Sequence, residues 1–471
     1  MAAKAGLLSI GLETYWKQFD GLLDNLNSYR EQIKKAIGNS GIQVADGGMA
    51  DNPVKAREVS YFFRSQCIDI LFLHVSTYAL SSTVLPVVQD LKVPVVILNL
   101  QPVAALDYEK FNNLADRGKM TGIWLEHCQA CSVPEIAGVF NRSGIRYGFV
   151  TGHLQDPDIH REIADWASAA RVAFNMRHNR LGILGHYYGG MLDVYTDTAR
   201  QSAVFGTHIE ILEMCELRKL RDEVNEADIR KKTDEFNELF DVSPECEKAE
   251  IERAARTSAA LDQLVKGRNL GALAYYYEGQ PGNEYENIVT SVIAGNTLLT
   301  GKNIPVAGEC EVKNAQAMKI MAEFGAGGSF SEIYLMDYKD DVILMGHDGP
   351  AHFAIAEGRV SLVPLPVFHG KPGKGLSIQM TVRHGPVTLL SVVEKGDSLF
   401  LLTAEGESVP GPVMEIGNTN SRYKFKIGAR KFIEQWSEQG PAHHCAIGIG
   451  HISDKIEKLG KILDIDVVRI C

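Results

Sequence analysis

A chain of 471 residues, 45% hydrophobic and 23% charged, has the length for two or three domains and the composition of an ordinary globular protein. Its formal net charge of −11 argues against non-specific binding to nucleic acid or an anionic membrane. No apolar run approaches the roughly 20 residues of a membrane helix, and the run at 7–11 is too short for a signal-peptide core, so a cytoplasmic location is expected.

Short apolar runs at 7–11, 42–47, 68–75, 94–100 and 147–151 read as strands, and amphipathic helical patterns at 16–37, 52–64, 81–91, 133–141 and 158–178 alternate with them. That alternation predicts an open parallel sheet with helices on both faces. A second alternating set starts near Arg180: strands at 181–185, 207–214, 271–277 and 306–309, helices at 287–299 and 314–324. Between them a charge-dense block at 217–265 reads as one long helical stretch with a solvated face. After Gly325 the character changes. Strands at 331–338, 342–345, 362–366, 377–382, 387–393, 399–404 and 423–427 are separated by turns such as the stretch from Gly370 to Gly375 and Glu405-Gly406-Glu407, which predicts an antiparallel barrel or sandwich. Helices at 429–436 and 453–463 and strands at 445–448 and 466–470 end the chain.

Nucleotide motifs are absent. The turn Leu12-Glu13-Thr14-Tyr15 after the first strand has no glycine cluster, Gly185-His186-Tyr187-Tyr188-Gly189-Gly190 has the wrong spacing, and no phosphate-binding loop motif occurs. Neither a nicotinamide cofactor nor ATP is expected. Most of the eight cysteines sit in apolar runs and read as buried thiols. Cys128-Gln129-Ala130-Cys131 has a suggestive spacing, but no second pair follows to complete a zinc knuckle.

The informative constellation is acidic and imidazole-rich. Glu309 ends an apolar strand, Glu332 opens one, His347 ends the next, and His443-His444 sit in a tight turn. Strand ends and turns present side chains to clefts. Two carboxylates and two imidazoles suit a divalent ion such as Mn²⁺, Fe²⁺ or Co²⁺, with Zn²⁺ possible. Taken singly, a strand-end Glu is more often a surface charge and a single His a hydrogen-bonded loop residue, so spacing leaves a shared metal site open. His352, five residues after His347, and Glu311, two after Glu309, are rival ligands.

The ordered set Gly308-Glu309-Cys310-Glu311-Val312-Lys313, Ser329-Phe330-Ser331-Glu332, Gly346-His347 and Ala442-His443-His444 is similar to the metal-binding segments of L-arabinose isomerases, within the wider L-arabinose/L-fucose isomerase family. The likeness extends weakly over nearly the whole chain. It implies an N-terminal flavodoxin-like α/β domain at 1–174, a central α/β domain at 175–325 and a C-terminal β-barrel domain with terminal helices at 326–471. The expected fold class is therefore α/β, two tandem open parallel-sheet domains followed by an antiparallel β-barrel. The resemblance implies a trimeric or hexameric homo-oligomer, a sugar substrate, and Mn²⁺ or another divalent cation (Co²⁺, Fe²⁺, Mg²⁺ or Zn²⁺) held by Glu309, Glu332, His347 and His444. Glu309 and Glu332 would also act as acid and base in an aldose–ketose isomerisation through a cis-enediol.

Substrate positions depart from the family pattern. Cys128 and Cys131 stand where its members carry Gln and His that reach a neighbouring subunit's site, and Glu13 stands near its first-strand Gln. Met191 and the Tyr277-Glu278 pair match pocket positions, while Tyr15 and His352 are further candidates for contact with the sugar. L-Arabinose itself is thus in doubt. A metal-dependent epimerase or retro-aldol enzyme, and a non-catalytic sugar-binding protein, are the alternative readings.

Overall fold

The computed structural model describes residues 2–366 and 373–471. It divides into two compact units: one runs to Phe174 and adds Lys461–Asp464, the other holds Asn175–Gly460 and Ile465–Cys471. Among the described residues no helix is long and apolar enough to cross a membrane.

In the first unit β1 (Lys4–Ile10), β2 (Gln43–Ala50), β3 (Ile70–Val75), β4 (Val95–Gln101) and β5 (Tyr147–His153) form a parallel sheet in the order β2-β1-β3-β4-β5. Its central strands β1 and β3 are apolar and buried almost throughout, as strands covered on both faces must be. The strand order reverses at β1, so the loops after β1 and β3 flank the crevice where such sheets take ligands. The helix expected from residue 16 starts later, at Leu22. Glu13–Tyr15 form a 3₁₀ turn, and Gly21 at φ +79 redirects the chain into the helix Leu22–Gly38.

The second unit opens with a parallel sheet of β6 (Arg180–Gly185), β7 (His208–Leu212), β9 (Ala272–Tyr276) and β10 (Val306–Ala307), in the order β10-β9-β6-β7. The charged block at 217–265 is not one helical stretch. It splits into helices Met214–Glu223, Glu226–Leu239 and Lys248–Arg268, with the short strand β8 (Phe240–Val242) between the last two. The first break has a local cause: Val224 is extended, and the Asn225 side chain caps the next helix by accepting from the Ala227 and Asp228 N–H groups. The helix expected at 287–299 is likewise broken, into Glu286–Val289 and Ile293–Gly301.

The C-terminal part is a closed antiparallel barrel. Its strands are β11 (Gly327–Asp337), β12 (Val342–His347), β15 (Gly385–Lys395), β16 (Ser398–Val409), β17 (Thr419–Lys424) and β18 (His444–Ile449). They run β15-β18-β11-β12-β17-β16, and β16 pairs back onto β15, which removes the exposed edges of an open sheet. β13 (Val360–Leu365) pairs with β14 (Gly375–Gln379) on one side and with β8 on the other in a small sheet, and β19 (Val467–Arg469) adds in parallel to β16. The Gly370–Gly375 turn lies, as far as residue 372, outside the described residues. Glu405-Gly406-Glu407 is no turn but the interior of β16. The glycine there answers to packing: a Cβ on Gly406 would stand 2.8 Å from the Lys424 carbonyl and 2.9 Å from the Phe425 ring. One continuous apolar core joins sheet and barrel, with Leu184, Leu273 and Val306 on one side and Ile343, Leu389, Leu402 and Ile447 on the other.

Candidate active site

The carboxyl ends of β6, β9 and β10 face one wall of the barrel, and between them lies a cavity of about 550 Å³. β6 ends on Gly185 at φ +99, where a Cβ would fall 1.9 Å from the Tyr276 carbonyl oxygen, so only glycine permits this turn. The segment it launches carries Tyr188 and Met191 to the cavity lining. β9 contributes Tyr275 and Tyr276. β10 is shorter than its apolar pattern suggested: it ends at Ala307, and Gly308–Cys310 form a tight turn that sets Glu309 on the cavity wall. Glu309 and Cys310 both take left-handed backbone conformations, φ 53 and 61. That costs on the order of 1–3 kcal/mol for each non-glycine residue and is a feature of functional sites.

The barrel side is set by register. Glu332 is interior to β11 and does not open it. It pairs with His444 of β18 on one side and with Gly346 of β12 on the other, and His347 follows Gly346. Adjacent strands about 4.8 Å apart thereby bring these side chains to one place. Ligand atoms of Glu309, His347 and His444 lie within 4.8 Å of one another, as do those of Glu332, His443 and His444. The two sets share His444. Buried Phe330, two residues before Glu332, is packed against the His347 and His444 rings, with centroids 4.5 and 4.3 Å away.

Two carboxylates absent from the expected ligand set orient the histidines. Glu311 Oε2 lies 2.7 Å from His444 Nδ1, both groups buried. Asp193 Oδ2 lies 2.6 Å from His443 Nδ1 and also accepts the His443 backbone N–H at 3.0 Å. Asp193 stands 250 positions from His443, and nothing local in the sequence marks it; Glu311 was visible only as a rival to Glu309. The arrangement separates the two neighbouring histidines. Burial, then the charge of His443, pushes His444 down to about 3, so it is a neutral imidazole. Its Nε2, 3.7 Å from Glu309 Oε2, is a buried atom without a hydrogen-bond partner among the described residues, as is that Glu309 oxygen. The Glu309 carboxylate, 3.5 Å from His443 Nε2, is the largest cause that raises His443 to about 9; burial opposes it and Asp193 adds to it. Burial pushes Glu311 up to about 8. Burial also acts to raise Asp193, but its hydrogen bonds with His443 overcome this and hold it below its usual value.

The donor set fits a divalent cation. Oxygen and imidazole ligands converge, two of them are buried atoms with unmet bonding capacity, and each of the adjacent histidines is anchored through Nδ1 by a carboxylate, as metal-bound imidazoles commonly are. Of the sequence-derived substrate residues, Met191 lines the cavity. Tyr277 does not; its neighbours Tyr275 and Tyr276 do, and its own ring rests against His186 and Tyr285. His352 is buried outside the cavity lining, its backbone N–H donating to Ser329 Oγ. Glu13, Tyr15, Cys128 and Cys131 belong to the other unit. The cysteines are less buried than expected: Cys128, Cys310 and Cys445 are buried, while Cys67, Cys131 and Cys215 are exposed, Cys67 as the left-handed cap of a helix.

Residues 327–466 match the family model for the L-arabinose isomerase C-terminal domain. The chain is 26% identical over 343 residues to an L-arabinose isomerase of Nocardioides sp., covering 69% of this chain and 67% of that protein. It is 22% identical over 339 residues to an L-arabinose isomerase of Klebsiella pneumoniae, with the same coverage. A sulfoquinovose isomerase of Alkalicoccus urumqiensis is 19% identical over 327 residues, 69% of this chain and 72% of that protein.

Proposed function

We propose that this chain, which is similar to L-arabinose isomerases and to a sulfoquinovose isomerase, is a sugar aldose–ketose isomerase whose chemistry is metal-dependent and runs in the cavity between β6, β9, β10 and the barrel. In this reading Glu309, Glu332, His347 and His444 hold the cation, Mn²⁺ by preference. When bound, a divalent cation polarises the carbonyl and hydroxyl oxygens at C1 and C2 of the sugar.

The protein's own groups do the rest. Glu309 and Glu332 lie on the cavity wall from opposite sides, one from the turn after β10 and one from β11. One carboxylate takes the proton from C2 of the aldose, a cis-enediol results, and a proton is returned to C1. His443, the one of the two adjacent histidines that lines the cavity, carries a proton in the metal-free protein and is aimed by Asp193, which suits it to proton exchange with the sugar oxygens. With a cation bound, Glu311 would accept the Nδ1 proton of His444 and so leave Nε2 as the ligand atom. The observation that carries the reading is the meeting at His444 of acidic and imidazole groups drawn from residues 309 to 444. Relatives are named for both L-arabinose and sulfoquinovose, so the sugar is left open.

The test is a screen of aldoses and ketoses with protein stripped by chelator and reloaded with Mn²⁺, Co²⁺ or Mg²⁺, in deuterated water. Metal-restored conversion without change of mass in ordinary water, and solvent deuterium at ketose C1, are expected. Conversion that survives chelation undiminished would overturn the metal dependence.

A further inference from the structure

The first unit holds a pair of thiols that the isomerisation leaves without a task. Cys128 caps the helix Gln129–Ser143, and Cys131 sits in its first turn, with the Cys131 N–H reaching the Cys128 carbonyl at 3.4 Å. The Cys128 thiol donates to the Cys131 sulfur at 2.8 Å. Cys128 is buried and Cys131 is exposed. The turn is anchored to the loop after β3, at the sheet's switch point: Gln129 Nε2 donates to the Ser76 carbonyl at 3.1 Å, and Ser132 Oγ accepts from the Ala79 N–H at 2.7 Å. The two sulfurs are thus held together by a rigid frame.

We infer that Cys128 and Cys131 form a redox-active dithiol site that exchanges with small-molecule disulfides and closes to an intramolecular disulfide. Closure asks little of the structure. One helical turn already holds the two residues at a separation a disulfide spans, and the sulfurs need to approach by only about 0.8 Å. Roles follow from exposure and protonation. Burial, with the bond to Cys131, pushes the Cys128 thiol up to about 12, which keeps it the protonated donor. The exposed Cys131 sulfur accepts that bond at the helix end where negative charge is favoured, and it meets the reagent first.

The exchange balances in two steps. The Cys131 thiolate attacks one sulfur of a small disulfide RSSR, a Cys131–SR bond forms, and RS⁻ leaves and takes a proton. Cys128 then releases its proton, attacks the Cys131 sulfur, and expels the second RS⁻. Two electrons pass from the protein to RSSR, and two RSH are formed.

The purified full chain is incubated with oxidised glutathione, unfolded, alkylated with N-ethylmaleimide and mapped by mass spectrometry. Both thiols of the peptide holding Cys128 and Cys131 are expected to become closed to N-ethylmaleimide together, read on that peptide alone because Cys67 and Cys215 are exposed as well. The peptide holding Cys128 and Cys131 should lose two hydrogens, and dithiothreitol should restore it. Cys128→Ser, with folding checked by circular dichroism, should stop at a mixed disulfide on Cys131. Cys131→Ser, altered at an exposed position, should leave Cys128 unmodified. A stable glutathione adduct on Cys131 of the unaltered protein, or no loss of thiols from this peptide at any glutathione ratio, would overturn the inference.

Discussion

Glu311 offers the sharpest test of how the site is assembled. Its carboxylate is buried, touches no cavity surface, and reaches the proposed cation only through His444, whose Nδ1 it holds at 2.7 Å. Removing a carboxylate that orients a metal-bound histidine typically weakens metal affinity about 10–100-fold. Glu311→Gln keeps an acceptor for the Nδ1 proton and removes the charge, so a loss of about 10-fold is expected. Glu311→Ala leaves Nδ1 buried without an acceptor, which adds about 1–3 kcal/mol of destabilisation in the metal-free protein and should bring the affinity loss nearer 100-fold. Thermal or urea unfolding against metal concentration reads both. At 100 times its dissociation constant, a cation stabilises the native state by about 2.7 kcal/mol. At the same concentration a site weakened 100-fold gains only about 0.4 kcal/mol. Metal stabilisation of both variants within two-fold of the unaltered protein's affinity would refute the role given to Glu311, and with it the choice of His444 over His443 as ligand.

Three further outcomes follow from the same structure. Because burial raises Glu311 to about 8, the Glu311–His444 couple must give up a proton when a cation takes Nε2; metal affinity should therefore rise by at least about tenfold per pH unit below pH 8, and calorimetry showing no proton release at pH 7 would contradict this. Glu309→Gln should lower turnover by about 10²–10⁴ while the circular dichroism spectrum is unchanged; conversion within tenfold of the unaltered protein would remove Glu309 from the chemistry. His74, buried on β3 and 2.9 Å from Ser9 Oγ, is held down to about 3 by burial and then by the charge of Arg30. A folded-state value below the unfolded one contributes its full stability above about pH 6.5 and loses it as pH falls towards 3, at about 1.4 kcal/mol per unit. The first unit should thus lose about 2 kcal/mol between pH 6.5 and 5, and His74→Gln should flatten that slope in urea titrations; an identical slope would sink the assignment.

The strands and most helices were legible because burial writes a local pattern. β1 and β3 are mostly apolar runs, broken only by Lys4, Ser9 and His74, since both faces are covered, and the strands of the barrel show as apolar stretches separated by turns. Sequence pattern and structure part where one residue type serves two purposes. Gly406 looked like a turn but is a strand residue that makes room for Phe425. The charged block at 217–265 looked continuous because charge is uninformative about a break that Asn225 makes by capping. Of the residues around the proposed site, Glu309, Glu332, His347 and His444 could be named from strand ends and motif order, whereas Asp193 and Glu311, the partners of the histidines, could not be assigned a task.

By itself the sequence determined the alternation of elements, the change from parallel sheets to an antiparallel barrel, and which acidic and imidazole side chains were candidates for chemistry. These depend on the order of apolar, polar and turn residues within a dozen positions. Only the tertiary structure decided that Glu332, His444 and Gly346 stand side by side, that Glu309 is bent into a left-handed turn, and that two adjacent histidines differ in protonation. Register between strands far apart in the chain, and the burial that shifts a proton, are set by what surrounds a residue in space, and the chain writes neither beside it.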